Sequence, residues 1–244
     1  MPRFFLTPEA LSGDFAVLTG ENAAHARVLR LKNGDEVILC DGEGQACRAA
    51  VADAAVGQIR LTILDRRASE SEPALRVSMY LAYAKSDKFE HVVQKATELG
   101  AAEIIGFPSS RCVARPDGAS LPRKLERWQK IAASAAEQSG RARIPAVLTV
   151  SSYDEAVRRA CETDFPCFFY ENEQRLSFRA AIGSGGFHTA ALMSGPEGGF
   201  SGDEVLAAQS AGMRICTLGP RILRCETAPL CALSALMFAC GELE

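Results

Sequence analysis

Two stretches of the chain decide its fold: Leu192-Met193-Ser194-Gly195-Pro196-Glu197-Gly198-Gly199-Phe200 and Leu218-Gly219-Pro220-Arg221-Ile222-Leu223-Arg224-Cys225-Glu226-Thr227-Ala228. In each stretch an apolar run ends in a Gly-Pro loop, and a helical pattern follows. Glycine lets a backbone approach a ligand closely, and proline stiffens the loop that contains it. Charged side chains inside both loops supply groups that chemistry needs. We therefore expect the two loops to form the functional site.

The pattern around these loops is that of an α/β domain. From Leu75 onward, short apolar runs alternate with helical patterns, such as the one carrying Phe89, Val92 and Val93. Such alternation predicts a mainly parallel sheet. Ligands of these sheets bind beyond the carboxyl ends of the strands. Both Gly-Pro loops follow predicted strands, so the topology predicts a site there. Thr227 is the predicted N-cap of the final helix, and capping boxes are predicted at Ser152–Glu155 and Ser201–Glu204.

The first part of the chain has a different pattern. A run after Asn33-Gly34 and a run after Asp41-Gly42-Glu43-Gly44 predict a hairpin, and residues 59–63 alternate as a half-buried strand does. One short helix is expected near residues 23–31. A small β-barrel or curled sheet is the simplest packing for these elements. The polar run at residues 69–73 predicts a linker, so we expect two domains, residues 1–72 and residues 73–244.

Composition excludes several classes of protein. The chain has 244 residues, of which 48% are hydrophobic and 23% charged, as in ordinary globular proteins. A net charge of -3 gives no global basic field, although a local basic face remains open. The nine cysteines and three histidines show no metal-ligand spacing, so no metal site is expected. We see no signal-peptide pattern, and the apolar run at residues 230–240 is too short to span a membrane. These features predict a cytoplasmic protein.

The two loops lack the usual nucleotide fingerprints. The chain contains no Gly-x-x-x-x-Gly-Lys-Ser/Thr, no Gly-x-Gly-x-x-Gly between a strand and a helix, and no Gly-x-Ser-x-Gly. Stiff loops with apolar neighbours suit a flat, mostly uncharged ligand that is held by backbone groups. An adenine ring with a nearby thioether or sulfonium fits that description.

The sequence resembles the RsmE family of ribosomal RNA methyltransferases, in the SPOUT superfamily. The resemblance rests on both quoted stretches and on three further blocks, at residues 95–100, 136–141 and 28–35. It covers nearly the whole chain. Two positions depart from the family pattern: Cys225 stands where threonine is usual, and Ser110 where glutamate is common.

The resemblance implies a fold that periodicity does not predict. SPOUT domains have an α/β, mainly parallel sheet whose last helix is threaded through a loop to form a C-terminal trefoil knot. The resemblance further implies a small N-terminal PUA-like RNA-binding β-barrel and a homodimer with its active site near the subunit interface. Leu230, Leu233, Leu236 and Met237 of the last helix are available for that interface or for the core.

The implied reaction is methylation of N3 of a uridine in small-subunit (16S) ribosomal RNA, in an assembled 30S particle, with S-adenosyl-L-methionine as methyl donor. The cofactor pocket would contain Leu192, Ser194, Gly195, Gly199, Leu218, Gly219, Ile222 and Leu223. Arg224 would stabilise negative charge on the uracil, because a guanidinium fork suits that task. Glu197 and Glu226 would accept a proton or brace the loops.

RNA would be held by basic residues of both domains: Arg3, Arg27, Arg30, Lys85, Lys88, Arg111 and Arg141. Such phosphate contacts carry little sequence information. Three alternatives remain at this point: an RNA-binding module without chemistry, a SPOUT methyltransferase acting on transfer RNA, and a metabolic α/β enzyme that uses another nucleotide. The intact charged residues oppose the first, and the missing phosphate motifs oppose the third.

Overall fold

The fold is given by a computed structural model that describes residues 1–55, 57–116 and 118–243. The chain forms two compact units. One contains Met1–Glu72 and Ala136–Ile144, and the other contains Pro73–Ala135 and Pro145–Glu244. The segment Ala136–Ile144 therefore packs with the first unit, which the predicted division at residue 72 does not include.

The first unit is built on a five-stranded curled sheet. Its strands are β1 (Arg3–Phe5), β2 (Phe15–Leu18), β3 (Glu36–Cys40), β4 (Gln45–Ala55) and β5 (Gln58–Ala68), in the order β1-β3-β4-β5-β2. A 3-10 helix (Glu9–Leu11) and helix α1 (Gly20–Val28) complete it. The predicted hairpin is confirmed, since β3 and β4 pair antiparallel across a turn in which Asp41 Oδ1 accepts from the N–H groups of Glu43 and Gln45. Register shifts within β4 and β5 accompany the curl.

The second unit alternates strands and helices. It contains β6 (Arg76–Ala82), α2 (Ser86–Glu98), β7 (Glu103–Phe107), α3 (Leu121–Ser139), β8 (Ala146–Thr149), α4 (Tyr153–Ala160), β9 (Phe165–Phe169), α5 (Phe178–Ile182), β10 (Thr189–Ser194), α6 (Gly202–Ser210), β11 (Arg214–Cys216) and α7 (Thr227–Ala239). The last residues of α3, from Ala136 onward, belong to the first unit. Every strand pair in its sheet is parallel, in the order β11-β9-β10-β6-β7-β8. The predicted α/β class is thus confirmed.

The central strand β10 shows why this sequence favours a covered parallel sheet. Ala190, Ala191, Leu192 and Met193 are all fully buried, as expected for a strand with layers on both faces. The strands that precede the two Gly-Pro loops, β10 and β11, are not neighbours, because β9 lies between them.

Helix ends follow the capping predictions in part. Ser201 and Glu204 form a complete capping box at α6. At α4 only half of the predicted box exists: Ser152 accepts from the Glu155 N–H, but the Glu155 carboxylate accepts from Ser151 instead. Among the helices of the described residues, none has the length and apolar character that a membrane crossing would require.

Candidate active site

A cavity of about 880 Å³ lies in the second unit, where β9, β10 and β11 end. Three chain segments form its wall, together with Lys88 from α2 and Ala228 from α7. The first segment follows β9, the second is the Gly-Pro loop after β10, and the third is the loop between β11 and α7. Their lining residues are Phe169, Tyr170, Glu171, Glu173 and Gln174; Ser194 to Phe200; and Cys216 to Cys225.

The loop after β10 is fixed by its glycines and by one phenylalanine. Phe200 is 1% exposed and packs on the ring of Phe168 at a centroid distance of 4.2 Å. A Cβ at Gly195 would lie 3.0 Å from the Phe200 ring, so any larger residue there would crowd the buried ring. Gly199 has a φ of +64° and donates its N–H to the Pro196 carbonyl at 3.0 Å. The loop is therefore a tight turn that presents its backbone to the cavity.

The loop before α7 is held by local hydrogen bonds. Thr217 Oγ1 accepts from the Gly219 N–H at 3.2 Å, and Gly219 has a φ of +107°. The Arg224 carbonyl accepts from the N–H groups of Thr227 and Ala228, both at 2.9 Å. The prediction that Thr227 caps α7 is wrong, because Thr227 is the first helical residue and the N-cap is Glu226, whose side chain makes no capping bond. The carboxylate of Glu226 points to a different partner.

That partner is Lys88. Its Nζ lies 3.4 Å from Glu226 Oε2 and 3.5 Å from Glu197 Oε1, so one ammonium contacts a carboxylate from each loop. The backbone N–H of Lys85 also donates to Glu197 Oε1, at 3.2 Å. The thiol of Cys225 donates to Glu226 Oε2 at 3.2 Å and lies 3.8 Å from Lys88 Nζ. These four side chains form a compact charged cluster, of which Lys88, Glu197 and Cys225 line the cavity.

Their pKa values follow from this arrangement. Burial favours the neutral form of Glu197 and Glu226, but backbone N–H donors and the charge of Lys88 outweigh it, so both carboxyl groups have a pKa below the ordinary 4.5. Burial would lower the pKa of Lys88, yet Cys225 and the two carboxylates raise it. Burial, then the bond to Glu226, raises the pKa of Cys225 to about 12. At neutral pH the cluster holds two carboxylates, one ammonium and one thiol.

Arg224 is placed differently. It lines the cavity and is exposed, and its guanidinium has no hydrogen bond or ion pair within the described parts of the chain. Its five N–H donors are thus available to a ligand. Arg221 lines the cavity as well.

The predicted cofactor residues divide into two groups. Leu192 lies inside β10, is fully buried and does not reach the cavity wall. The remaining seven line the cavity: Ser194, Gly195, Gly199, Leu218, Gly219, Ile222 and Leu223. Ser194 is notable because its Oγ is buried without a hydrogen-bond partner among the described residues. Ile222 is 83% exposed, so the described residues leave most of its side chain uncovered.

The predicted RNA contacts are also divided. In the first unit, Arg27 and Arg30 are exposed, whereas Arg3 is half-buried and donates to Cys40 Sγ and to the Arg141 carbonyl. Arg141 needs correction: it is 3% exposed and forms an ion pair with Glu72 at 2.8 Å, so its guanidinium stabilises the first unit and does not face solvent.

In the second unit, Lys85 and Arg111 are exposed, and Arg111 Nη1 donates to the Gly198 carbonyl at 3.2 Å. Lys88 belongs to the cavity cluster described above.

Sequence reasoning missed the segment after β9. Glu171 faces Gly199 so closely that a Cβ at Gly199 would lie 2.5 Å from Glu171 Oε1. No Gly-Pro pair marks this segment, and the only available signal was its position at the end of a predicted strand.

Comparison with known proteins adds independent information. The RNA methyltransferase domain family matches residues 70–237, and the RNA methyltransferase PUA domain family matches residues 18–64. The chain is 34% identical to ribosomal RNA small subunit methyltransferase E of Bacillus subtilis, over 91% of this chain and 89% of that protein. It is 36% identical to the protein of the same name from Mycobacterium bovis, over 92% and 87%.

A solved structure of ribosomal RNA small subunit methyltransferase E from Neisseria gonorrhoeae, bound to S-adenosyl methionine, is also similar. Its TM-score is 0.85 at 32% identity, over 98% of this chain and 97% of that chain.

Proposed function

This chain belongs to the family of ribosomal RNA small subunit methyltransferase E and is an S-adenosylmethionine-dependent RNA methyltransferase; on that premise we propose that it methylates N3 of a uridine in small-subunit ribosomal RNA. The observation that carries the proposal is the 880 Å³ cavity, whose wall joins backbone-exposing glycine turns to the guanidinium of Arg224, which has no partner among the described residues. The first feature suits a flat cofactor and the second suits a base that becomes negatively charged.

The residues of the cavity fit the cofactor. The buried Oγ of Ser194, which has no partner in the described parts of the chain, offers a hydrogen bond, and the turns at Gly199 and Gly219 bring backbone close to the cavity. Leu218, Ile222 and Leu223 supply apolar side chains for an adenine ring. Leu192 would not line the cofactor pocket; it would support Ser194 through the packing of β10. When bound, S-adenosylmethionine supplies a methyl group on a sulfonium, which is a good leaving group.

The main task of the protein is then to activate the nucleophile. Uridine N3 carries a proton and has a pKa above neutrality, so the site must stabilise the uridinate that forms when the proton leaves. Arg224 is the group we assign to this task, because an exposed guanidinium on the cavity wall can donate to a uracil oxygen that gains charge. Positioning N3 in line with the methyl group contributes several kcal/mol more, on the order of 7 or above in well-oriented systems.

Glu197 and Glu226 are assigned a bracing role. Of the two roles expected from the sequence, proton acceptance is disfavoured, because carboxylates with a lowered pKa are weak bases and both already contact Lys88. We propose that the proton leaves N3 to solvent.

For RNA binding we propose that residues 1–72 act as the PUA-like RNA-binding domain and residues 73–244 as the methyltransferase domain. The exposed Arg27, Arg30, Lys85 and Arg111 are the proposed phosphate contacts, with a lesser part for the half-buried Arg3. N3 is engaged in base pairs, so the target uridine must be unpaired or flipped out. We propose an assembled 30S particle in the cytoplasm as the substrate.

We propose that the molecule is a homodimer with a trefoil knot at its C-terminus. Helix α7 supports the homodimer, since Cys231, Ala235 and Phe238 form an exposed row at helical spacing and Phe238 is 70% exposed. The 83% exposed Ile222 in the cofactor loop would also gain cover from a second subunit.

Mass spectrometry of nucleosides tests the function. Small-subunit RNA from cells with and without this protein should differ in 3-methyluridine, and purified protein should restore it with S-adenosylmethionine. A change confined to transfer RNA would instead favour the transfer RNA alternative. No change in either RNA would favour the non-catalytic module.

A further inference from the structure

Lys88 lies near the start of α2 and contacts two loops that are distant in the chain. Glu197 belongs to the loop after β10, whereas Glu226 directly precedes α7. Among the ion pairs of the described residues, Lys88 is the one basic residue that pairs with both glutamates. Its Nζ lies 3.5 Å from Glu197 Oε1 and 3.4 Å from Glu226 Oε2. The ammonium therefore bridges the two loops that line the cavity.

The surroundings of the bridge make it more than a surface contact. The side chains of Lys88, Glu197 and Glu226 are 21%, 23% and 22% exposed, so solvent and salt screen the three charges less than they would on an open surface. Two ionised carboxylates that face the same ammonium would repel one another without it. Loss of the cation would thus push the two loops apart.

We propose that Lys88 is a positioning residue that holds the two cofactor loops in register and thereby sets the affinity for S-adenosylmethionine. This inference rests on the proposed function of the cavity. It replaces the phosphate contact expected for Lys88, because two carboxylates beside the ammonium offset its positive charge and so weaken its attraction for a phosphate. Lys88 acts on the cofactor through Glu197 and Glu226, and a direct contact with the reacting atoms is not part of the proposal.

Three variants of the full-length protein test the bridge. Lys88→Met keeps the apolar stem and removes the charge, Lys88→Arg keeps the charge, and Lys95→Met removes another lysine of α2 that pairs with Glu98 outside the cavity. Calorimetry measures S-adenosylmethionine binding, steady-state kinetics separates KM from kcat, and thermal unfolding confirms that each variant is folded. Hydrogen exchange reports the loops at residues 195–200 and 218–226 without any cofactor.

We expect Lys88→Met to bind S-adenosylmethionine about tenfold more weakly, with a raised KM and a kcat at saturation that changes by less than about threefold. Both loops should exchange faster, Lys88→Arg should recover most of the affinity, and Lys95→Met should bind normally. Adding Glu226→Gln to Lys88→Met should restore part of the affinity, since it removes the repulsion between the carboxylates. A general loss of packing would not be rescued by that second change.

Two results would overturn the bridge. One is wild-type affinity and wild-type exchange in folded Lys88→Met protein. The other is normal cofactor binding combined with weaker, less salt-dependent RNA binding, which would return Lys88 to a phosphate contact. If the wild-type protein itself bound no S-adenosylmethionine, the proposed function of the cavity would fail, and the exchange measurement would still decide whether Lys88 couples the two loops.

Discussion

Gly199→Ala is the substitution whose effect can be worked out most directly from the structure. Gly199 has a φ of +64°, in the left-handed region that side chains with a Cβ rarely adopt. A Cβ there would lie 2.5 Å from Glu171 Oε1 and 3.2 Å from its Cδ. The substitution therefore strains the backbone of the turn and forces the Glu171 carboxylate to move within the cavity.

The two effects differ in size. Left-handed backbone costs an alanine about 1–2 kcal/mol relative to glycine. Moving Glu171 costs less, because it is the flexible end of an exposed side chain, and an off-rotamer torsion costs roughly 0.5–1.5 kcal/mol at most. The loop can relax in the free protein and return to the strained conformation only when the cofactor binds. The strain of about 1–2 kcal/mol is then subtracted from the binding free energy, which weakens cofactor binding roughly 5- to 30-fold. If the loop stays strained, the midpoint of thermal unfolding falls instead, by about 2–4 °C per kcal/mol.

Calorimetric titration with S-adenosylmethionine, together with thermal unfolding, measures both outcomes. Gly202→Ala is the matched control, because Gly202 lies in the first turn of α6, has no positive φ, and an added Cβ there would meet no atom within 4 Å. Adding Glu171→Ala to Gly199→Ala separates the steric effect from the backbone effect. Wild-type affinity and an unchanged unfolding midpoint in Gly199→Ala would refute the reasoning.

Three further predictions concern other residues. Arg224→Ala should lower kcat by about 10²–10³-fold, the usual effect of losing one group that stabilises developing charge. The affinity for S-adenosylmethionine, measured by calorimetry, should stay nearly unchanged. Unaltered turnover would exclude the role of Arg224. Cys225→Thr should keep both cofactor affinity and kcat, because a hydroxyl can replace the thiol that donates to Glu226 Oε2 at 3.2 Å; a tenfold loss in either would contradict this. Glu204 is 8% exposed, and although burial raises its pKa, bonds from Ser110 and Ser201 lower it overall. A carboxyl group with a lowered folded-state pKa stabilises the protein above its unfolded pKa and loses that contribution as pH falls through the folded value. The free energy of unfolding of the wild type should therefore decrease as the pH falls below about 4.5. Glu204→Gln should be less stable than the wild type by about 1–3 kcal/mol at pH 7, and its stability should depend less on acid pH, as measured by denaturant titration. Equal acid sensitivity in both proteins would refute the assignment.

Local patterns predicted the secondary structure of the second unit well because each signal is complete within a few residues. The box at Ser201 and Glu204 satisfies the backbone at the start of α6 by itself, so it could be inferred without knowing the neighbours. At α7 the same reasoning was wrong for Thr227, since Glu226 takes the N-cap position while its carboxylate is drawn to Lys88. At this helix end the side chain of the N-cap residue makes a long-range ion pair and no capping bond.

The residues of the candidate site also divide into those that local sequence patterns predicted and those that depend on long-range contacts. The glycines at 195, 199 and 219 were identifiable because tight turns that approach a ligand need glycine wherever they occur. Glu171 was assigned no role, and Lys88 was assigned to RNA and not to the two loops, because each comes from an element with no local mark of this function. Arg141 was misassigned for a related reason: its charge suggested a phosphate contact, whereas Glu72 pairs with it in the buried interior of the first unit.

By itself, the sequence determined the alternation of strands and helices, the parallel sheet and the two glycine loops at strand ends. These features depend on periodicity and on backbone conformations that few residue types allow, and both are properties of neighbouring residues. Only the tertiary structure decided the strand order, which inserts β9 between β10 and β11 and brings Glu171 to the cavity. It alone also decided that Lys88 bridges Glu197 and Glu226, because electrostatic pairing depends on distance in space, and residues far apart in the chain carry no sequence signal of their approach.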